Sequence, residues 1–189
     1  MPLLLLTTLA LIAQTPVVNE GGVGNAAITS TREVSPGSLV SIFGSELAPV
    51  LPPGSSVPVS VTFNNIQAPI LFASPGQINT QLPWDVIPAA AETGTASVVV
   101  TRSNVASVPR QVPIRRITPG IFAVNNRAIA VNFPDGTLAQ PAGALPPFDS
   151  QPARPGGVII LYANGLGPVD PPIATGATSG DGPLRFNTT

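Results

Sequence analysis

The residues able to do chemistry are few. The chain has nine Asp and Glu and no His or Cys, and its eight basic residues are all Arg. A glycosidase sets two carboxylates across one cleft, and Glu46 and Asp85 are the pair to weigh, since each follows a strand-like run. Nothing in their spacing brings them together, and solvated turn or loop positions account for both. Asp135-Gly136 and Ser179-Gly180-Asp181-Gly182 are too poor in oxygen for calcium, which takes roughly six to eight ligands; turn chemistry explains them. Ser38, Ser41 and Ser45 have neither His nor Lys to activate them. Without Cys and His there is no disulfide, thiolate site or ordinary zinc site. The Gly-rich pieces lack the Lys and the helix of a phosphate cradle. The sequence therefore offers no catalytic set, no metal set and no cofactor.

Trp84 has the strongest functional alternative. A lone exposed Trp can stack on a sugar ring, with Asn79 and Gln81 as neighbouring hydrogen-bonding side chains. A lone Trp in a sandwich is more often core or rim packing, and an aromatic content of 5% argues against a multi-ring sugar platform. Tyr162, Phe43 and Phe72 lie in apolar strands and are expected in the core.

The elements that would carry these residues are short and apolar. Hydrophobic residues make up 43% of the chain and charged ones 9%, with 18 Gly and 24 Pro. Such a composition describes many short strands punctuated by turns, an all-β sandwich. A net charge of −1 gives no pull toward nucleic acid or an anionic membrane.

The organising stretch runs from Ser35 to Val50: a Pro36-Gly37 turn, an apolar strand, then Leu47-Ala48-Pro49-Val50. It returns without a gap as Arg154 to Val169, with Pro155-Gly156, Val158-Ile159-Ile160-Leu161-Tyr162 and Leu166-Gly167-Pro168-Val169. Two copies of one unit are the direct reading. Gly44 is expected at a bulge. Val59–Phe63 and Ala68–Ala73 alternate around an Asn64-Asn65 turn, Gln77–Trp84 alternates again, and Thr95–Arg102 with Ala106–Ile114 forms a hairpin around Ser103-Asn104. About seven strands between Pro36 and Ile114 match an immunoglobulin-like sandwich.

Ahead of these, Leu3 to Ala13 is too short to cross a bilayer and fits the apolar core of a signal peptide, with Ala13 before the cut. No Lys or Arg precedes it, and an apolar N-terminal strand is the alternative. Thr118–Val124 and Ala128–Phe133 read as a bridging pair followed by a Pro/Ala-rich linker.

Several stretches stand together in the order of a known family: Gly21-Gly22-Val23-Gly24-Asn25-Ala26-Ala27, Pro36 to Gly44, Ala73-Ser74-Pro75-Gly76-Gln77-Ile78-Asn79, Leu82-Pro83-Trp84, Pro119-Gly120-Ile121-Phe122 and Leu161 to Val169. Over residues 17–169 the chain resembles the uncharacterised C-terminal module expanded in Acidobacteria of the Solibacter type, and its strand pattern is similar to IPT/TIG immunoglobulin-like domains. The resemblance implies secreted or cell-surface proteins that carry the module behind repeats or catalytic domains, with no assigned catalytic residues. The second unit should run on for roughly another domain half, so Thr189 reads as a truncation.

The expected layout is a signal peptide over 1–14, an extended segment over 15–34, an Ig-like sandwich over 35–116, a bridging hairpin and linker over 117–153, and a truncated second Ig-like unit over 154–189. The expected function is that of an exported, non-enzymatic module with structural, adhesive or protein-interaction duty, secreted or at the cell surface, without a membrane span in the mature chain. Its expected partners are an extracellular protein or polysaccharide, or a second copy through an unpaired strand edge. The alternative is a carbohydrate-binding module using Trp84, Asn79 and Gln81.

Overall fold

Alternating apolar and polar residues set the strands, and left-handed turn residues set their pairing. The computed structural model describes residues 14–28, 30–50, 58–178, 180 and 185–188. The expected signal peptide, the Pro-rich loop from Leu51 and the tail positions around Asp181 and Leu184 lie outside the described residues.

The first unit contains β1 (Val17–Asn25), β2 (Leu39–Ser45), β3 (Val59–Phe63), β4 (Ile66–Ala68), β5 (Ile70–Ala73) and β6 (Gln77–Gln81). A 3-10 turn at Trp84–Val86 leads to β7 (Thr93–Arg102), β8 (Val105–Ala106) and β9 (Arg110–Arg115). One sheet has the order β1-β2-β6-β5; the other has the order β4-β3-β7-β8, with β9 also paired to β7. Their inner faces form one core. Val40 and Ile42 of β2 and Ile78 of β6 meet Val61 and Phe63 of β3 and Ala96, Val98 and Val100 of β7. The period-two burial of β6 and β7 is the signature of strands with one face inward, and each large side chain so buried contributes about 1.5–3 kcal/mol. The fold is an all-β sandwich.

Both expected tight turns are present. Asn64 and Asn65 have φ of 50° and 65°, and Ser103 and Asn104 have φ of 47° and 66°, the left-handed pair that matches strand twist in a two-residue hairpin. Asn64 also ties its turn to the neighbouring strand β7 and to the 3-10 turn, accepting from the Ser97 amide at 2.9 Å and donating to the Val86 carbonyl at 3.1 Å. Gly44 lies within β2, and a β-carbon there would collide with the Val17 carbonyl oxygen. Its smallness serves close strand approach; the irregularity expected there sits in β1, where the register shifts between Val18 and Val23.

The second unit contains β10 (Gly120–Ile121), β11 (Ala123–Val124), β12 (Arg127–Ala128), β13 (Ala130–Phe133), β14 (Leu138–Ala139), β15 (Ser150–Gln151), β16 (Val158–Leu161) and β17 (Ala163–Asn164). β18 (Val169–Asp170) and β19 (Phe186–Asn187) pair with each other beyond it. The repeat extends to pairing partners. Val17 faces Ser45 and Val18 faces Gly44 in the first unit, while Gly120 faces Asn164 and Ile121 faces Ala163 in the second. Past the β1 irregularity, Val23, Gly24 and Asn25 face Ile42, Ser41 and Val40. Ala130, Val131 and Asn132 face Leu161, Ile160 and Ile159 in the same way. The β11–β12 hairpin stands where the first unit has its register shift. Residues 120–133, expected to bridge the units, thus supply the first strand of the second unit. The expected linker contributes β14 and β15, which pair in parallel.

The copies differ in what covers them. β2 lies between β1 and β6, whereas β16 is the end strand of the order β15-β14-β13-β16. Val40 and Ile42 are 0% exposed, but their counterparts Ile159 and Leu161 are 44% and 50% exposed. The expectation that Tyr162, Phe43 and Phe72 are core residues is corrected. Phe43 is half-buried, because the alternation that turns Ile42 inward turns Phe43 away from the core. Phe72 is exposed on the edge strand β5, and Tyr162 is exposed beside β16.

Buried polar contacts fasten the second unit to the first. The Asn164 side chain both accepts from the Leu39 amide and donates to the Leu39 carbonyl, each at 2.8 Å. It also donates to Asn25 Oδ1 at 2.8 Å. Asn25 in turn donates to the Thr118 carbonyl at 2.8 Å, and the Thr118 hydroxyl meets Ser35 Oγ at 3.1 Å.

Candidate functional site

The strand β6 leads into Leu82-Pro83, and the 3-10 turn that follows turns Trp84 toward the second unit. Leu82 is held on both sides, its carbonyl accepting from the Gly37 amide and its amide donating to the Ser38 carbonyl, both at 2.9 Å. The Trp84 ring lies flat on Gly37: a β-carbon at Gly37 would overlap its Cη2, Cζ2 and Cζ3 atoms. Gly37 also has a φ of 74°, a conformation that costs other residues strain. The Pro-Gly turn that opens the repeat therefore seats the tryptophan as well.

From the other side, the Trp84 amide donates to Thr175 Oγ1 at 3.1 Å. The Gln81 side chain spans both units, donating to the Gly37 carbonyl at 3.1 Å and accepting from the Gly176 amide at 2.6 Å. Between these supports lies a cleft of about 540 Å³, lined among others by Trp84, Asp85, Pro88, Arg116, Pro172 and Thr175. Its size suits a small organic group or a short stretch of polymer. Trp84 is half-buried and Asp85 exposed; Trp84 Nε1 is buried without a hydrogen-bond partner among the described residues. Arg116 is held at the rim by its bond to the Ala89 carbonyl at 2.9 Å.

Of the three residues expected to bind a ligand, Trp84 lines the cleft. Gln81 lies behind it, its amide engaged in bridging the units. Asn79 faces away from the core on β6, accepting from Ser41 Oγ at 3.0 Å and Gln77 Nε2 at 2.8 Å, and does not line the cleft. Arg116 and Thr175 were not legible as site residues. They stand far from Trp84 in sequence and carry no motif; only the docking of the second unit brings Thr175 to it.

The carboxylates weighed for hydrolysis are placed separately. Asp85 lines the cleft, and Glu46 does not; Glu46 is bound to Arg102 at 2.6 Å. Elsewhere, Arg115 forks onto Glu33 through two bonds of 2.9 and 3.0 Å. These hydrogen bonds hold the Glu33 carboxyl below its ordinary pKa and raise that of Arg115. Among the described residues the cleft offers apolar walls, one aromatic ring, one carboxylate and one guanidinium.

The chain matches no protein-family profile and no curated protein at a significant level. Among solved structures it is similar to the Gamma-CGTase of alkalophilic Bacillus clarkii, with 24% identity and a TM-score of 0.38, over 56% of this chain and 13% of that one. A likeness so partial does not define a function.

Proposed function

We propose that the chain is an exported, non-catalytic Ig-like module with a structural, adhesive or protein-interaction role at the cell surface or outside the cell, as its resemblance to the Acidobacterial C-terminal module implies. The observation that carries this reading is β16, which repeats β2 in sequence and pairing but leaves its apolar side chains and one edge uncovered among the described residues. Such a strand is a surface for another chain. Glu46 is paired with Arg102 and does not line the cleft that Asp85 lines, so the two carboxylates weighed for hydrolysis are not set across it, and the apolar run from Leu3 to Ala13 supports export. An extracellular protein, a second copy of the chain included, is the partner class of this reading, and a polysaccharide that of the alternative below.

A second reading, a carbohydrate-binding module, is favoured by one observation: Trp84 lines a cleft of a size to take a sugar. One experiment separates the two. The chain and its Trp84→Ala variant are incubated with cellulose, chitin, xylan and peptidoglycan, and the retained fraction is measured. The interaction reading expects no retention by any of them. Retention abolished in the variant overturns it in favour of the carbohydrate reading. Retention that survives in the variant removes Trp84 from the site.

A further inference from the structure

We propose that the open edge of β16 pairs with β16 of a second copy of this chain, antiparallel, about a two-fold axis at Ile160. This deepens the interaction-module reading and rests on it.

The first unit shows what this edge is built to accept. In β2, the Leu39 carbonyl accepts from the Ala26 amide, on the β1 side, while the Gly44 amide donates to the Gly76 carbonyl, on the β6 side. Backbone groups alternate along a strand, so Val40, Ile42 and Gly44 offer theirs to β6, which takes them up antiparallel with Val40 opposite Thr80 and Ile42 opposite Ile78. In the repeat, Tyr162 donates to the Ile129 carbonyl at 3.3 Å and accepts from the Phe122 amide at 2.9 Å. Tyr162 thus faces the equivalent of β1, as Phe43 does. Ile159 and Leu161 then present their N–H and C=O groups to the open edge, where no strand pairs among the described residues.

The choice of occupant follows from the residues on that edge. Val158-Ile159-Ile160-Leu161 holds no charge and no Pro, the devices that keep natural edges from pairing, and all four side chains are exposed. With a net charge of −1, little long-range repulsion separates two copies. The segment is also self-complementary. In the antiparallel arrangement, the outward groups of Ile159 meet those of the partner's Leu161, and the two Ile160 residues face each other. Ile160 directs its backbone groups inward, so this central pair is of the non-hydrogen-bonded kind, with Cα atoms about 4.5 Å apart. A four-residue edge is short beside a stable interface, which buries about 800 Å² per partner. The association is therefore weak and concentration-dependent.

The absence of native Cys makes disulfide trapping a clean test, because a central pair at about 4.5 Å lies within bridging range. In the full chain, Ile160→Cys under mild oxidation is expected to give a covalent dimer whose yield rises with protein concentration. Val158→Cys, two positions off the axis, is expected to give none. Adding Ile159→Lys to Ile160→Cys is expected to abolish the dimer, with the circular dichroism of the chain unchanged. An Ile160→Cys chain that stays monomeric at all concentrations overturns the pairing, as does equal cross-linking of Val158→Cys. Failure here leaves the interaction-module reading standing. Polysaccharide retention lost with Trp84 overturns that reading without touching the cross-link.

Discussion

The Asn164 side chain lies 2.8 Å from Asn25 Oδ1 and closes a two-way hydrogen-bonded pair with the backbone of Leu39. The carboxamide supplies one donor edge and one acceptor edge, so it pairs with the start of β2 much as a neighbouring strand would. Its counterpart in the first unit is Ser45, which is exposed. The second copy thus departs from the first where it docks.

Removing this carboxamide leaves the Leu39 amide without its partner and takes one of two donors from the Leu39 carbonyl and from Asn25 Oδ1. Asn164→Ala is expected to destabilise the chain by about 1–3 kcal/mol, read as a fall in the denaturant midpoint. Asn25→Ala should cost a similar amount, and the double variant less than the sum, because the two side chains share one network.

The repeat gives a second comparison through its Pro-Gly turns. Gly37 and Gly156 have φ of 74° and 76°, yet a β-carbon at Gly37 meets the Trp84 ring, while one at Gly156 meets nothing within 4 Å. Gly156→Ala should cost about 1–2 kcal/mol for the backbone alone. Gly37→Ala should add about 1–3 kcal/mol of overpacking, and tryptophan fluorescence should shift only in that variant.

A third expectation concerns acid. Hydrogen bonds from Arg115 lower the Glu33 pKa in the folded chain, so the pair stabilises the fold above the unfolded pKa of a glutamate. That contribution is lost as pH falls through the lowered folded value. The pair is exposed, with side chains 52% and 46% accessible, so salt screens it. Glu33→Gln should lower stability slightly in the neutral region, leave it unchanged below the folded pKa, and so flatten the acid limb of a stability–pH profile.

Much of the sandwich was legible because its signals are local. Alternation in Gln77–Gln81 and Thr95–Thr101 marks which side chains turn inward, and Asn64-Asn65 marks a turn by left-handed tolerance. The match of Pro36–Val50 with Pro155–Val169 marked the repeat. What escaped was long-range. Residues 120–133 read as a bridge because their partners, β16 and β17, lie well beyond them in the chain, as with Gly120 and Asn164 or Phe133 and Val158, and give no local sign. Phe72 and Tyr162 read as core because apolar type was taken for burial, although an edge strand or an uncovered sheet leaves such residues exposed. At the candidate site, Trp84 was legible as a lone aromatic at a strand end. Thr175 and Arg116 join it only through docking and packing that no spacing rule encodes.

The central claim is that β16 is the same strand as β2 without its cover, and one pair of substitutions tests it most directly. Ile42 and Leu161 occupy equivalent positions and are 0% and 50% exposed. Denaturant unfolding of dilute Ile42→Ala and Leu161→Ala is expected to show a loss of about 2–5 kcal/mol for the first and under about 1 kcal/mol for the second. Equal losses at the two positions would contradict the account, since they would mean that Leu161 is buried as deeply as Ile42.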